Sequence, residues 1–213
     1  MSMEQGGVRV RTYEPEDPRL RADRAEIRRY AGMARGENAE DAGTESLLAE
    51  VMEEMKGAFA YRVCYRRTGI AWDGEKPRLP FGSESRQLAG CLRGSREIVV
   101  FAATAGMEAD RRIARYQRIS PTKALLAQAY GAERAERLCD VFCAEIAEEA
   151  AAEGLRCTPR FSPGYGDLPL ETQRDVFRLL DCERKIGVWL NESLLMTPSK
   201  SVTAVFGLLE ERG

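Results

Sequence analysis

Arg160, Tyr165 and the residues between them are where side-chain type and spacing first suggest chemistry. The segment reads Arg160-Phe-Ser-Pro-Gly-Tyr165-Gly-Asp-Leu-Pro169. Two glycines and two prolines in so short a stretch impose a fixed, uncommon backbone path. Gly164 lets another molecule approach the main chain closely. The Arg160 guanidinium can fork two hydrogen bonds to a carboxylate. Tyr165 offers a flat face and a hydroxyl. Such a set suits a small zwitterion that carries an aromatic base. The same composition also fits a plain strand-to-helix connection, and the residues by themselves leave both readings open.

Other chemistries are narrowed by what the chain lacks. It has no histidine, which removes the commonest general base and the commonest zinc ligand. Ser-His-Asp and Cys-His catalysis are therefore excluded. The six cysteines (Cys64, Cys91, Cys139, Cys143, Cys157 and Cys182) are irregularly spaced and form no CxxC pair. Cys139 and Cys143 share a helical face and could form half of a metal site; free buried thiols are the alternative. The glutamates of 145–153 read as a solvated helix end rather than a catalytic carboxylate pair. Lys200 reads as a surface lysine, and Glu192 as a strand residue within reach of Arg184 or Lys185.

The elements that position these residues follow from periodicity. A length of 213 residues suits one domain of 21–213 behind an N-terminal extension of 1–20. Val8 and Val10 suggest a short edge strand. Helices are expected at 21–35, with Ile27, Tyr30, Ala31 and Ala34 on one face, and at 45–60, with a linker over 36–43 between them. Residues 61–65 could extend that second helix or begin a strand. A loop or ragged hairpin over 68–82 and a short helix at 85–92 come next. The β-branched run 97–106 is the clearest buried strand, followed by a helix at 108–118. Ser120-Pro121 opens the longest helix, which reaches Glu153 and could break near Gly131. A short strand after Gly154 leads into the 160–169 loop and an amphipathic helix at 170–180. Two strands, 188–196 and 201–209, close the chain. Helices and strands mix without a βαβ repeat. The fold class is thus α+β, a single domain with a mixed or antiparallel sheet packed against several helices.

The net charge of -2 gives no global field for nucleic acid. No run approaches a membrane span, and residues 1–10 lack the apolar core of a signal peptide. A cytoplasmic location is the default expectation.

Residues 160–208, RFSPGYGDLPLETQRDVFRLLDCERKIGVWLNESLLMTPSKSVTAVFGL, resemble the activation domain of cobalamin-dependent methionine synthase. The Arg-x-x-x-Gly-Tyr element, the IG-x-x-L-x-ES segment and the P-x-x-SV segment appear in that family's order. Upstream, EIRRYAG at 26–32, FAATAGMEADRRI at 101–113 and the helix at 121–150 are similar to it as well. The resemblance implies that the chain binds S-adenosylmethionine, with Arg160, Ser162 and Tyr165 touching it and the main chain at Ser162 and Gly164 meeting its polar end. Tyr165 would also lie close to a cobalamin face. The resemblance further implies Asp140 as an acidic neighbour of the ligand, and Phe206 and Gly207 as a strand lining it. Phe206 stands where the best-known members carry a tyrosine. Without the resemblance, Asp140 reads as a solvated helix residue and Phe206 as a core aromatic.

At 213 residues, the chain is not expected to hold the zinc, folate and cobalamin modules of the full enzyme. The expected role is therefore a separate activation subunit. Its partner would be a cobalamin-binding methionine synthase or a related corrinoid protein, which carries the cobalamin. A flavodoxin- or ferredoxin-like protein would donate the electron for reductive remethylation of cob(II)alamin. Reactivation of another corrinoid methyltransferase, and a non-enzymatic S-adenosylmethionine-binding adapter, are the alternatives.

Overall fold

The computed structural model describes residues 7–33 and 42–210. Ala34 and most of the expected linker lie outside them. The described elements, in chain order, are β1 (Arg9–Tyr13), α1 (Arg24–Tyr30), α2 (Ala42–Glu54), β2 (Tyr61–Gly69), β3 (Ala71–Asp73), β4 (Lys76–Arg78), α3 (Arg86–Cys91), β5 (Ser95–Thr104), α4 (Met107–Ile119), α5 (Pro121–Ala151), β6 (Leu155–Cys157), α6 (Thr172–Leu180), α7 (Cys182–Ile186), β7 (Trp189–Leu190), β8 (Met196–Thr197) and β9 (Ser201–Glu210). This is the α+β class expected.

Alternation along β5 and β9 organises the molecule. The two strands pair antiparallel at the centre of a five-stranded sheet ordered β1-β2-β5-β9-β6, every pairing in it antiparallel. Successive side chains leave opposite faces of a strand. Val99, Phe101, Ala103, Ala204, Phe206 and Leu208 enter one core with α1, α2, α4 and α5. Ile98, Val100, Ala102 and Val205 enter a second core with α3, α6 and α7. Helices thus cover both faces, and the central strands read as nearly continuous apolar runs because neither face meets water.

The α5 helix is the long support for the site. The Ser120 hydroxyl accepts from the Lys123 N–H at 3.3 Å and Pro121 occupies the first turn, a common helix start. It runs unbroken through Gly131, so the break considered there does not occur. Gly131 instead admits the Lys200 side chain: a Cβ at Gly131 would stand 2.9 Å from Lys200 Cε. Lys200 Nζ donates to Gln128 Oε1 at 2.5 Å. Lys200 is therefore a half-buried packing residue rather than a surface lysine, and burial lowers its pKa.

Residues 61–65, open between helix and strand, take the strand option and pair with both β1 and β5. Two further expectations are corrected. Residues 188–196 do not form one strand: β7 and β8 are two-residue strands of a hairpin, and Leu194 between them has φ +63. The glutamates after Val141 are not simply solvated. Glu145 pairs with Arg11 and Arg19 at 2.7 and 2.6 Å, Glu149 with Arg11 at 2.5 Å, and Glu153 with Arg67 at 2.6 Å. These pairs tie the end of α5, and Glu153 just past it, to β1, β2 and the chain at Arg19.

Among the described residues, no helix is long and apolar enough to cross a membrane.

Candidate functional site

The free edge of β9 is continued beyond β6 by the chain that leads into the 160–169 turn. Thr158 N–H donates to Gly207 O, and Phe161 exchanges two main-chain hydrogen bonds with Val205, at 2.8 and 2.9 Å. This extended backbone sends neighbouring side chains to opposite faces. Phe161 enters the second core. Arg160 reaches the other way, to α5, where Nη2 lies 2.8 Å from Asp140 Oδ1 and 3.3 Å from Glu136 Oε2. Glu136 and Asp140 are one helical turn apart and so present their carboxylates on one face. Burial acts to lower the Arg160 pKa, but the neighbouring Cys139, Cys143, Glu136 and Asp140 together outweigh it and the value is raised; the guanidinium stays charged.

One cation facing two carboxylates leaves this cluster net negative. A zwitterion with one further positive charge suits it. Its carboxylate can take the Arg160 fork, and its cationic groups can take Asp140 and Glu136. Beneath lie Cys139, which is buried, and Cys143, which is half-buried. Burial pushes the Cys143 thiol up to about 12 and raises Cys139 as well. Both are thiols at neutral pH, and thiolate is the form that ligates metal. Among the described residues, no group of three or more His, Cys, Asp or Glu could hold a metal ion.

The turn itself is open. Tyr165 N–H donates to Ser162 O, Gly164 N–H to Leu168 O, and Leu168 N–H to Tyr165 O. Gly164 sits at φ +85 and Gly166 at φ +58, left-handed values that glycine adopts without a Cβ clash. Leu168 is buried, whereas the Tyr165 side chain is 65% exposed and rests edge-on against Phe161 at 5.3 Å. An exposed aromatic of that size, beside a half-buried Ser162 and an exposed Gly164, leaves a flat face for a ligand.

The structure therefore brings Asp140 and Arg160 into contact and places Ser162, Gly164 and Tyr165 in the adjoining turn. Phe206 and Gly207 lie on β9 behind this edge. The Phe206 ring is 1% exposed and packs against Phe101 at 6.1 Å, so its side chain belongs to the first core. Gly207 N–H donates to Thr158 Oγ1 at 2.9 Å, and a Cβ there would meet Ser95 Oγ at 2.0 Å. Glycine at 207 thus answers to the close approach of Ser95.

Two features escaped the sequence reading. Glu136, the second carboxylate on Arg160, carried a signal in its four-residue spacing from Asp140. Asp167 reaches the start of α3, accepting from Ser85 Oγ and from the N–H groups of Arg86 (2.9 Å) and Gln87 (3.3 Å); nothing in its spacing pointed there. Glu192 does not recruit Arg184, which pairs with Asp181 at 2.5 Å. From α1, Tyr30 also lies near Glu136: burial, then the Glu136 charge, raises the Tyr30 pKa. Its ring lies under the Arg29 guanidinium at 4.4 Å.

No curated protein sequence matches the chain. Among solved structures, one described as "Crystal Structure of the MetH Reactivation Domain bound to AdoHcy" is similar with a TM-score of 0.72 and 17% identity, over 99% of this chain and 81% of that one. At this identity the likeness shows the fold. The family described as "Vitamin B12 dependent methionine synthase, activation domain" matches residues 93–211, from just after α3 through β9. That segment is more than half of the sequence, and this chain belongs to the activation-domain family of vitamin B12 dependent methionine synthase.

Proposed function

We propose that this chain binds S-adenosylmethionine on the surface where α5 meets the 160–169 turn, and presents its methyl group to a corrinoid carried by a partner protein. The observation that carries this reading is the Arg160–Asp140 pair beside the open turn of Tyr165. Arg160 binds the amino-acid carboxylate. Asp140, with Glu136, faces the ammonium and sulfonium charges. Ser162 and Gly164 contribute main-chain groups, and Tyr165 covers the exposed side next to the corrin. Phe206 and Gly207 support this surface from β9, through packing rather than side-chain contact. The family assignment supports the same ligand, as does the adenosylhomocysteine named with the similar structure.

The corrinoid supplies the cobalt nucleophile, so the residues here need only bind, orient and exclude water. No acid or base is asked of a chain that has no histidine. The partner is a cobalamin-binding methionine synthase, with a flavodoxin- or ferredoxin-like protein as electron donor. The test is to mix the chain with a cob(II)alamin-loaded methionine synthase, a reductant and methyl-labelled S-adenosylmethionine. Label in methylcobalamin only when the chain is present supports the reading. Label appearing only with a different corrinoid protein moves the partner. Saturable binding with no transfer to any of them would reduce the chain to an adapter.

A further inference from the structure

The turn that carries Tyr165 is fixed at both shoulders, and the two fixings differ in kind. On the entry side the bond is main chain to main chain, Phe161 with Val205. On the exit side it is one carboxylate. Asp167 spends both oxygens on the start of α3, accepting from the Ser85 hydroxyl and from the N–H groups of Arg86 and Gln87. Ser85 in turn caps that helix by accepting from the Leu88 N–H at 2.9 Å. The next residue along, Leu168, is buried in the second core. The preceding one, Gly166, lies so close to Gln87 that a Cβ would stand 2.1 Å from its Oε1. Only residues 162–166 span the gap between these anchors, and among them is the exposed Tyr165.

We propose that Asp167 is a positioning residue for the ligand turn: its carboxylate, held by Ser85 and the first N–H groups of α3, sets Tyr165 and the main chain of Ser162 and Gly164 before ligand arrives. This rests on the ligand reading given above. Asp167 touches no ligand in this account. A turn already ordered in the free protein does not lose that freedom again on binding, and the saving appears as affinity. The hydrogen bonds also hold the Asp167 pKa below its ordinary value, so the clamp persists in mildly acidic solution.

The test has two arms, run on the full chain, on Asp167→Ala and on Asp167→Asn. The first needs no ligand: amide hydrogen exchange at Gly164, Tyr165 and Leu168, whose N–H bonds close the turn. The second is calorimetric titration with S-adenosylmethionine, alongside the urea midpoint. Asp167→Ala should speed exchange at those three amides and leave β5 and β9 protected. It should weaken binding roughly tenfold, the scale of one residue's ordering transferred from folding to binding. Asp167→Asn keeps an oxygen acceptor and should recover part of both effects. Unchanged affinity in Asp167→Ala, beside clear binding by the parent, would overturn the positioning role alone. An affinity loss explained by an equal fall in global stability, without rescue by Asp167→Asn, would overturn it too. No binding by the parent would overturn the ligand reading and the coupling with it, while the exchange arm still reports on the clamp.

Discussion

Arg160 and Asp140 stand 2.8 Å apart, twenty positions apart in sequence, and their pairing joins the edge of the sheet to the long helix. In the free protein this pair occupies the guanidinium with carboxylates that belong to the protein. An incoming carboxylate of S-adenosylmethionine would take over part of that fork and release the acids to its positive groups. Removing the guanidinium should therefore harm binding far more than folding. Charge-assisted hydrogen bonds are worth about 1.5–3 kcal/mol, so Arg160→Ala should weaken S-adenosylmethionine roughly 10- to 100-fold by calorimetry. The urea midpoint should barely move, because Asp140 and Glu136 remain partly exposed and partly exposed ion pairs contribute little.

Phe206 separates a core role from a contact role. Its ring lies at 1% exposure against Phe101. Truncating such a side chain costs about 3–5 kcal/mol, so Phe206→Ala should lose that much in urea unfolding. Phe206→Leu, which keeps most of the volume, should fold and bind S-adenosylmethionine much as the parent does. A large affinity loss in a well-folded Phe206→Leu would show that the ring meets the ligand after all.

Gly207 has no room for a side chain. A methyl group would collide with Ser95 Oγ, 2.0 Å from the position of the added Cβ. Overpacking of this kind costs about 1–3 kcal/mol, and Gly207→Ala should show it as a lower unfolding midpoint. The double change Gly207→Ala with Ser95→Gly should recover most of it.

Glu145 makes stability depend on pH. Burial acts to raise its pKa, but hydrogen bonds from Tyr13, Arg11 and Arg19 outweigh it and the value falls below 4.5. A carboxyl depressed by folding binds its proton more readily when unfolded. Its contribution is thus fully present above the unfolded value and is lost as pH drops through the folded one. Urea midpoints should fall as the solution is acidified below 4.5, and Glu145→Gln should flatten that part of the curve while lowering stability at neutral pH.

The sequence disclosed the frame better than the site. Ser120-Pro121 marked the start of α5, and the β-branched run 97–106 marked β5. Residues 61–65 stayed ambiguous because a short apolar run fits either period; only pairing with β1 and β5 on both sides decides for a strand. The expected strand at 188–196 ran across Asn191-Glu-Ser193, where the chain turns and Leu194 goes left-handed. Arg160 and Tyr165 were visible as a loop of unusual composition, yet that composition alone favoured a plain connection. The Asp167 clamp was invisible, because it depends on α3, some eighty residues earlier, arriving beside the turn.

The most direct test of the account is calorimetric titration of the intact chain with S-adenosylmethionine, repeated with Arg160→Ala. The account predicts saturable one-to-one binding that the substitution weakens at least roughly tenfold. No saturable heat from the intact chain at about 1 mM ligand, where even some 4 kcal/mol of binding would register, would contradict it, as would equal affinity in the two proteins.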